Sequence, residues 1–285
     1  MTNEINFLHD DSINVLKQLE DNSIDAIVTD PPYEYLNHKL DRRFVKSEVL
    51  EQWDRVVKDD GFIVFFGRGE SFHEINYLLN KLGWKFKEEV IWNKRSVTSP
   101  FLPLSRVHET VSLLSKNGKI RKNKVPYAEV KKYQLDRMQN DFKRIVSGLG
   151  NQKSFMTMTY FLENQEMMHN TQVKSDFGVS TSNSFKGTDQ AAAALQSIVK
   201  GSNEQSIIEV NRDGRKITVH PTQKPVRLME RLINLVSDEG DTILDPFMGS
   251  GSTGLAAKNT NRNFIGVEID DEYFEKAKIR LNERK

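Results

Sequence analysis

The 285-residue chain has no cysteine, which removes disulfide frameworks, thiolate metal sites and a cysteine nucleophile together. Long apolar runs are also missing. Mean hydropathy is −0.58, and no stretch approaches the roughly 18 apolar residues of a membrane helix. The opening Met1-Thr2-Asn3-Glu4 has neither the basic nor the apolar region of a secretory signal. A cytoplasmic protein without membrane contact is therefore expected. His38, His73 and His169 stand isolated, outside any HxxxH or HExxH pattern, so no metal site is indicated.

Charge is balanced in sum, at +1, but not in distribution. Lys116 to Lys153 holds eleven Lys and Arg against the three acids Glu129, Asp136 and Asp141. Such a patch suits a polyphosphate partner, and it equally suits a solvated helix face. Charge alone leaves both open.

The pattern of the first 115 residues alternates strands with helices. Ser12 is placed to cap a short helix with Ile13, Leu16 and Leu19. The apolar run Ile24–Thr29 meets Asp30-Pro31-Pro32-Tyr33, and two prolines force the chain out of a central strand. Phe44–Val57 has helical spacing, Gly61 introduces a buried strand Phe62–Phe66, and a helix carrying Phe72, Ile75 and Leu79 ends at Gly83. Strands near Glu89–Trp92 and Thr110–Leu114 follow, and Trp84 and Trp92 read as core. From 116 to 218 the periodicity weakens, and a separate lobe of helical segments and mobile stretches is expected, outside the sheet. Its methionines, Met156, Met158, Met167 and Met168, read as filler packing. Regular pattern resumes over 219–285: a helix opened by Pro225 and ended by Gly240, strands at Thr242–Leu244 and Phe264–Val267, and a last helix with Tyr273, Ala277 and Leu281. The expected fold is α/β, a doubly wound and mostly parallel sheet, with ligands at the carboxyl ends of its strands.

Two constellations carry chemistry. Phe247-Met248-Gly249-Ser250-Gly251-Ser252 follows a strand and opens a helix. Glycines allow close backbone approach, and a helix start offers N–H groups. Glu268, ending the next strand, can accept from both hydroxyls of a ribose. Alone the loop is weak evidence, since a Gly-Ser-Gly turn is often just a turn; with Glu268 and Asp245 it points to a nucleoside-bearing cofactor. The second is Asp30–Tyr33. An aromatic amine is a poor nucleophile because its lone pair is delocalised into the ring. Acceptors for its protons localise that pair, and a carboxylate at Asp30 with the Pro31 carbonyl would serve. The rigid Pro31-Pro32 would hold them, and Tyr33 offers a stacking face. As an isolated tetrapeptide it is equally a strand terminator with Tyr33 in the core.

Taken together, the sequence resembles the amino-methyltransferases of DNA, in the arrangement where the DPPY segment (Asp30–Tyr33) precedes the FxGxG segment (Phe247–Gly251). The matching pieces include His9–Ser12, Ile91–Lys94, His108-Glu109, His220–Pro225 and Val267–Asp270. The resemblance implies an S-adenosylmethionine-binding Rossmann-like fold with an inserted target-recognition lobe at 116–218. It implies methyl transfer to N6 of adenine in double-stranded DNA, with the base flipped out of the duplex. N4 of cytosine, or a catalytically inactive DNA-binding relative, is the alternative. Asp30, Pro31, Pro32 and Tyr33 match the catalytic segment. Asp11, Asp30, Thr222, Lys224, Asp245, Phe247, Gly249, Ser250, Gly251, Ser252 and Glu268 match the cofactor-binding positions. Asp10 replaces the family's usual Gly before Asp11. A homodimer and a cognate restriction endonuclease are partners the resemblance suggests by analogy, in a bacterial or phage-infected cell.

Overall fold

The computed structural model describes residues 3–33, 44–96, 103–167, 189–214 and 223–282. Two compact units divide the chain: one takes Met1–Arg121 with Ser206–Lys285, the other Lys122–Gln205.

The first unit is built on an eight-stranded sheet. Its order is β1 (Ile5–His9), β10 (Asn263–Glu268), β9 (Thr242–Asp245), β2 (Ile24–Thr29), β3 (Val57–Gly67), β5 (His108–Ser115), β4 (Lys85–Asn93) and β8 (Ile207–Glu209). The first five strands run parallel. β5 is antiparallel to β3 and β4, and β8 returns parallel to β4. The expected mostly parallel α/β sheet is what forms.

Strand alternation divides the core into two layers. Ala26, Val28, Phe62, Val64 and Phe66 face α8 (Val226–Val236), α9 (Ser252–Asn259) and α10 (Asp271–Asn282). Ile27, Ile63 and Phe65 face α1 (Ser12–Leu16), α2 (Lys46–Val56) and α3 (Gly69–Lys81). The two-residue period sends neighbouring side chains to opposite faces, so both faces of these strands are apolar, as a doubly wound sheet requires. Trp84 and Trp92 are sealed in, at 0% and 1% exposure. Gly61 lies within β3 and does not precede it, and a Cβ there would sit 2.6 Å from the Asp25 carbonyl, so the strand needs glycine at that point.

Four local expectations change. Asp11, not Ser12, caps α1, its carboxylate accepting from the Ile13 N–H at 3.0 Å. α8 stops at Val236, before Gly240, where the Ser237 hydroxyl turns back onto the Ile233 carbonyl and the chain extends. Strand β1 was not expected; half-exposed at the sheet edge, Ile5-Asn6-Phe7-Leu8-His9 is too short and polar-interrupted to form a dense apolar run. β8 lies within the span read as lying outside the sheet, yet Ile208 is buried in the core and its neighbours pair with β4.

The second unit is helical. It holds α4 (Tyr127–Val130), α5 (Leu135–Leu149), α6 (Gln152–Asn164) and α7 (Gln190–Lys200), with a ribbon of β6 (Lys124–Val125) and β7 (Ser202–Asn203). Asn151 caps α6 and Asp189 caps α7 through side-chain acceptors. Met158, Ala191 and Ala192 form a small core, so the alanine run is the packed face of α7. Asp141 is buried and held by the Tyr127 hydroxyl at 2.9 Å, Lys131 at 2.6 Å and Arg144 at 2.8 Å. The remaining stretches of the expected lobe, at 168–188 (with Met168 and His169) and 215–218, lie outside the described residues, as do 219–222 and His38.

Candidate active site

Two neighbouring strands end in the same dipeptide. β2 pairs β9 through Ala26↔Ile243 and Ile27↔Leu244, and each strand then runs into Asp-Pro. Continued, that register sets Asp245 level with Val28 and Asp30 two residues further on, and both Asp-Pro steps lie at the carboxyl edge, where a parallel α/β sheet takes its ligands. At β2 the diproline ends the ladder and Pro31 is buried. The Asp30 Oδ1 accepts from the Tyr33 hydroxyl at 2.6 Å, and its Oδ2 is bonded by the Lys224 ammonium.

Asp30 is one end of a row of alternating charge. Lys224 Nζ also lies 3.2 Å from Glu109 Oε2, while Glu109 Oε1 accepts from Lys94 Nζ at 3.1 Å. The ammoniums have aromatic neighbours: Lys224 lies 4.8 Å from the Phe66 ring centroid and Lys94 5.9 Å from that of Trp92. Burial pushes the Asp30 carboxyl above its ordinary range in spite of Lys224, and Glu109 adds to the rise. Burial pulls Lys224 down, but the attraction of Asp30 and Glu109 outweighs it and the ammonium is held charged. For Glu109, burial is likewise outweighed, here by Lys224 and Lys94, and the carboxyl ends below its ordinary value. Lys94 goes the other way, lowered by burial against Glu109.

Asp245 is held by neutral donors. Its Oδ1 accepts from the Thr29 hydroxyl at 2.7 Å and the Phe247 N–H at 3.1 Å, and its Oδ2 from the Thr253 hydroxyl at 2.5 Å. Without a cation, burial pushes its carboxyl up to about 6. These bonds tie β2, β9 and the start of α9 together. Between them runs the glycine loop, with Gly249 at φ 51° and Gly251 at φ 74°. Positive φ strains any residue with a Cβ, and at Gly251 a Cβ would also lie 3.0 Å from Leu281. The loop is strapped to the next strand: Met248 N–H donates to the Val267 carbonyl at 2.8 Å, and Gly249 N–H to Glu268 Oε2 at 2.8 Å. Glu268 Oε1 accepts from the Asp270 N–H at 2.9 Å, and burial raises this carboxyl.

The other expected residues fall as follows. Phe247 packs its ring 5.3 Å from that of Phe44. Ser250 and Ser252 are buried behind the loop, where Arg280 Nη1 reaches the Ser250 carbonyl at 2.9 Å and the Ser252 hydroxyl at 3.0 Å. Asp11 stands beyond His9, which is level with Glu268 in the β1–β10 register, so it shares the carboxyl edge. Asp10 is exposed and accepts from the Asp11 N–H at 2.6 Å and the Asn14 amide at 3.0 Å. Thr222 lies outside the described residues. Four contributors had no role in the sequence reading. Glu109 and Lys94 sat inside quoted motifs without an assigned task; Thr29 and Arg280 carried no signal, since neither motif nor spacing marks them.

The loop fits a nucleoside-bearing cofactor on its own terms. No side chain caps α9 at Gly251, which leaves the helix start to the loop mouth. Glu268 places a carboxylate at the adjacent strand end, where ribose hydroxyls can donate.

Comparison with known proteins agrees with this geometry. The Type II methyltransferase M.HpaI of Haemophilus parainfluenzae is 29% identical over 282 residues, covering 95% of this chain and 72% of that protein. The Type II methyltransferase M.BglII of Bacillus subtilis is 26% identical over 283 residues, covering 94% of this chain but only 66% of its own length. Among solved structures, the M1.HpyAVI–SAM complex superposes with a TM-score of 0.60 at 25% identity, over 98% of this chain and 100% of that one. The PvuII DNA methyltransferase (cytosine-N4-specific) shares the fold at a TM-score of 0.60 and 16% identity, over 100% of this chain and 89% of that one. The profile of the DNA methylase family runs through residues 24–279, from the strand that delivers Asp30 into the last helix. A match of that extent makes this chain a member of the DNA methylase family, the N6 and N4 amino-methyltransferases whose methyl donor is S-adenosylmethionine.

Proposed function

We propose that this chain transfers a methyl group from S-adenosylmethionine to N6 of adenine in double-stranded DNA. One observation carries the reading: Asp30 stands at the end of β2, directly beside the strand whose end forms the glycine loop. When bound, S-adenosylmethionine supplies an electrophilic methyl group on a positively charged sulfur. Glu268 would accept from its ribose, the Phe247–Gly251 backbone and the start of α9 would line its path, and Asp11 would lie towards its adenine. Thr222 and Lys224 would lie towards its methionine end. Asp245 would act on the loop through its hydrogen bonds, because at 3% exposure it offers little surface to a ligand.

The base would enter by flipping out of the duplex. Asp30 and the Pro31 carbonyl would then accept the amine protons, an interaction that strengthens as the nitrogen becomes positive. Tyr33 is folded onto Asp30, so its ring stands next to the carboxylate and supplies an apolar face for the base. Each carboxylate oxygen has two acceptor directions, and the amine can bind without displacing Lys224. The basic run from Lys116, most of it in the helical unit, would meet the phosphates. Adenine is favoured over cytosine because the tetrapeptide opens with Asp, which the family resemblance associates with N6.

The test is transfer of labelled methyl from S-adenosylmethionine to unmethylated genomic DNA. Asp30→Ala is expected to lower it by roughly 10²–10³-fold or more, with S-adenosylmethionine binding by calorimetry largely intact. Full transfer in that variant contradicts the reading.

A further inference from the structure

Asp30 is the carboxylate the reaction uses, yet it comes with three further charges. The four groups arrive from separate places: Asp30 from the end of β2, Glu109 from β5, Lys94 after β4, and Lys224 just before α8. The ammonium side chains are 3% and 7% exposed, and their carboxylates 15% and 22%. One ion pair would neutralise Asp30. A row of four does something a pair cannot, because Lys224 is shared. It is bonded to Asp30 and stands in charge contact with Glu109 Oε2, outside hydrogen-bond geometry.

Sharing matters for the chemistry. An ammonium held by Asp30 alone draws density from the carboxylate and weakens it as an acceptor for an amine growing positive. A second carboxylate on the far side of Lys224 opposes that pull. It does so with the charge that Lys94, 3.1 Å from its other oxygen, leaves it.

We infer that Glu109 is a positioning residue for methyl transfer: through Lys224 it fixes the orientation and acceptor strength of Asp30, with Lys94 competing with Lys224 for the charge of Glu109. The inference rests on the role given to Asp30 above. It does not require Glu109 to touch substrate or cofactor.

Among the described residues, the charged and titratable groups around Asp30 are Lys224, Tyr33 and Glu109, with Asp245 on the adjacent strand end, and Lys94 and Arg212 one step further out. Two substitutions push Asp30 in opposite directions. Glu109→Gln keeps the shape and removes the negative charge, so Lys224 falls wholly to Asp30 and the carboxylate becomes less basic. Lys94→Met removes the cation that competes with Lys224 for Glu109, so Asp30 keeps less of Lys224 and becomes more basic.

The experiment measures kcat and KM from pH 5 to 9 for the full chain, with tritiated S-adenosylmethionine and unmethylated genomic DNA. Glu109→Gln is expected to lower kcat by about tenfold, leave both KM values within about threefold, and move the acid limb to lower pH by roughly 0.5–1 unit. Lys94→Met is expected to move the same limb to higher pH. A structural role for the row predicts no opposed displacement. Limbs that stay at the wild-type position, or that move together, overturn the inference, as does a loss confined to KM. If Glu109→Gln does not fold, the Lys94→Met limb decides alone: an upward move supports the inference and an unmoved limb overturns it. Asp30→Ala run alongside separates the two levels. If it is inactive while the limbs stay put, only the role of Glu109 falls; if it or the wild type contradicts methyl transfer through Asp30, both fall.

Discussion

Asp30-Pro31 and Asp245-Pro246 close adjacent strands, Asp245 level with Val28 and Asp30 two residues further on, and their surroundings differ. Asp245 is closed off by Thr29, Thr253 and the Phe247 N–H, all neutral donors, and is 3% exposed. Asp30 keeps 22% of its side chain exposed and is balanced by a cation that it shares. A carboxylate closed off by neutral donors from the adjacent strand and its own loop is placed to tie them together. One held by a shared ammonium at a proline-ended strand keeps an open side for a ligand. The dipeptide is the same, and the neighbours decide which it becomes.

Substitutions can break this contrast, and the largest effect belongs to Asp30. Asp30→Ala should lower methyl transfer by roughly 10²–10³-fold or more, while thermal unfolding stays near wild type because Glu109 still faces Lys224. A large fall in Tm with activity retained would reverse the assignment. Asp245→Ala should do the opposite. It strands two hydroxyls and a backbone N–H in the core and should cost roughly 2–4 kcal/mol of stability by denaturant unfolding.

The pH dependence of Asp245 sharpens the point. Its folded carboxyl titrates at about 6 against an ordinary 3.8. A raised value means this group favours the folded state fully below pH 3.8, and that contribution is lost as pH rises through about 6. The difference is roughly 3 kcal/mol. Asp245→Asn does not titrate, so its stability relative to wild type should improve between pH 4 and pH 7. A gap between the two unfolding curves that stays constant with pH contradicts this. The smallest effect is expected at Glu268. Glu268→Gln should weaken S-adenosylmethionine binding by about tenfold, the order of one lost charge-assisted hydrogen bond, with kcat little changed. Calorimetry and steady-state rates separate the two.

Much of this was legible in the sequence where the signal was local. Apolar period and breakers marked β2, β3, β9 and β10, because a sheet buried on both faces writes itself as short dense apolar runs. Edge strands β1 and β8 are half-exposed and left no such run. Asp30 and the glycine loop stood out because proline fixes φ and glycine alone takes positive φ without strain, and Glu268 because it ends the next strand. Glu109 and Lys94 were visible as residues but not as partners, since a charge pair depends on register: Asn93 lies opposite His108 in the β4–β5 ladder, which sets Lys94 beside Glu109 across more than a dozen residues of sequence. Arg280 lies in a helix crowded with charge, where one guanidinium turned inward looks like its neighbours. Asp11 was read for ligand binding and is also the cap of α1, a task its spacing before Ile13 could have shown.

The central claim is methyl transfer to N6 of adenine, and nucleoside analysis tests it most directly. Unmethylated genomic DNA is incubated with the protein and S-adenosylmethionine, digested to nucleosides and separated by mass. N6-methyladenine is expected from the wild type and is expected to be missing with Asp30→Ala. N4-methylcytosine in its place, or no methylated base, would contradict it.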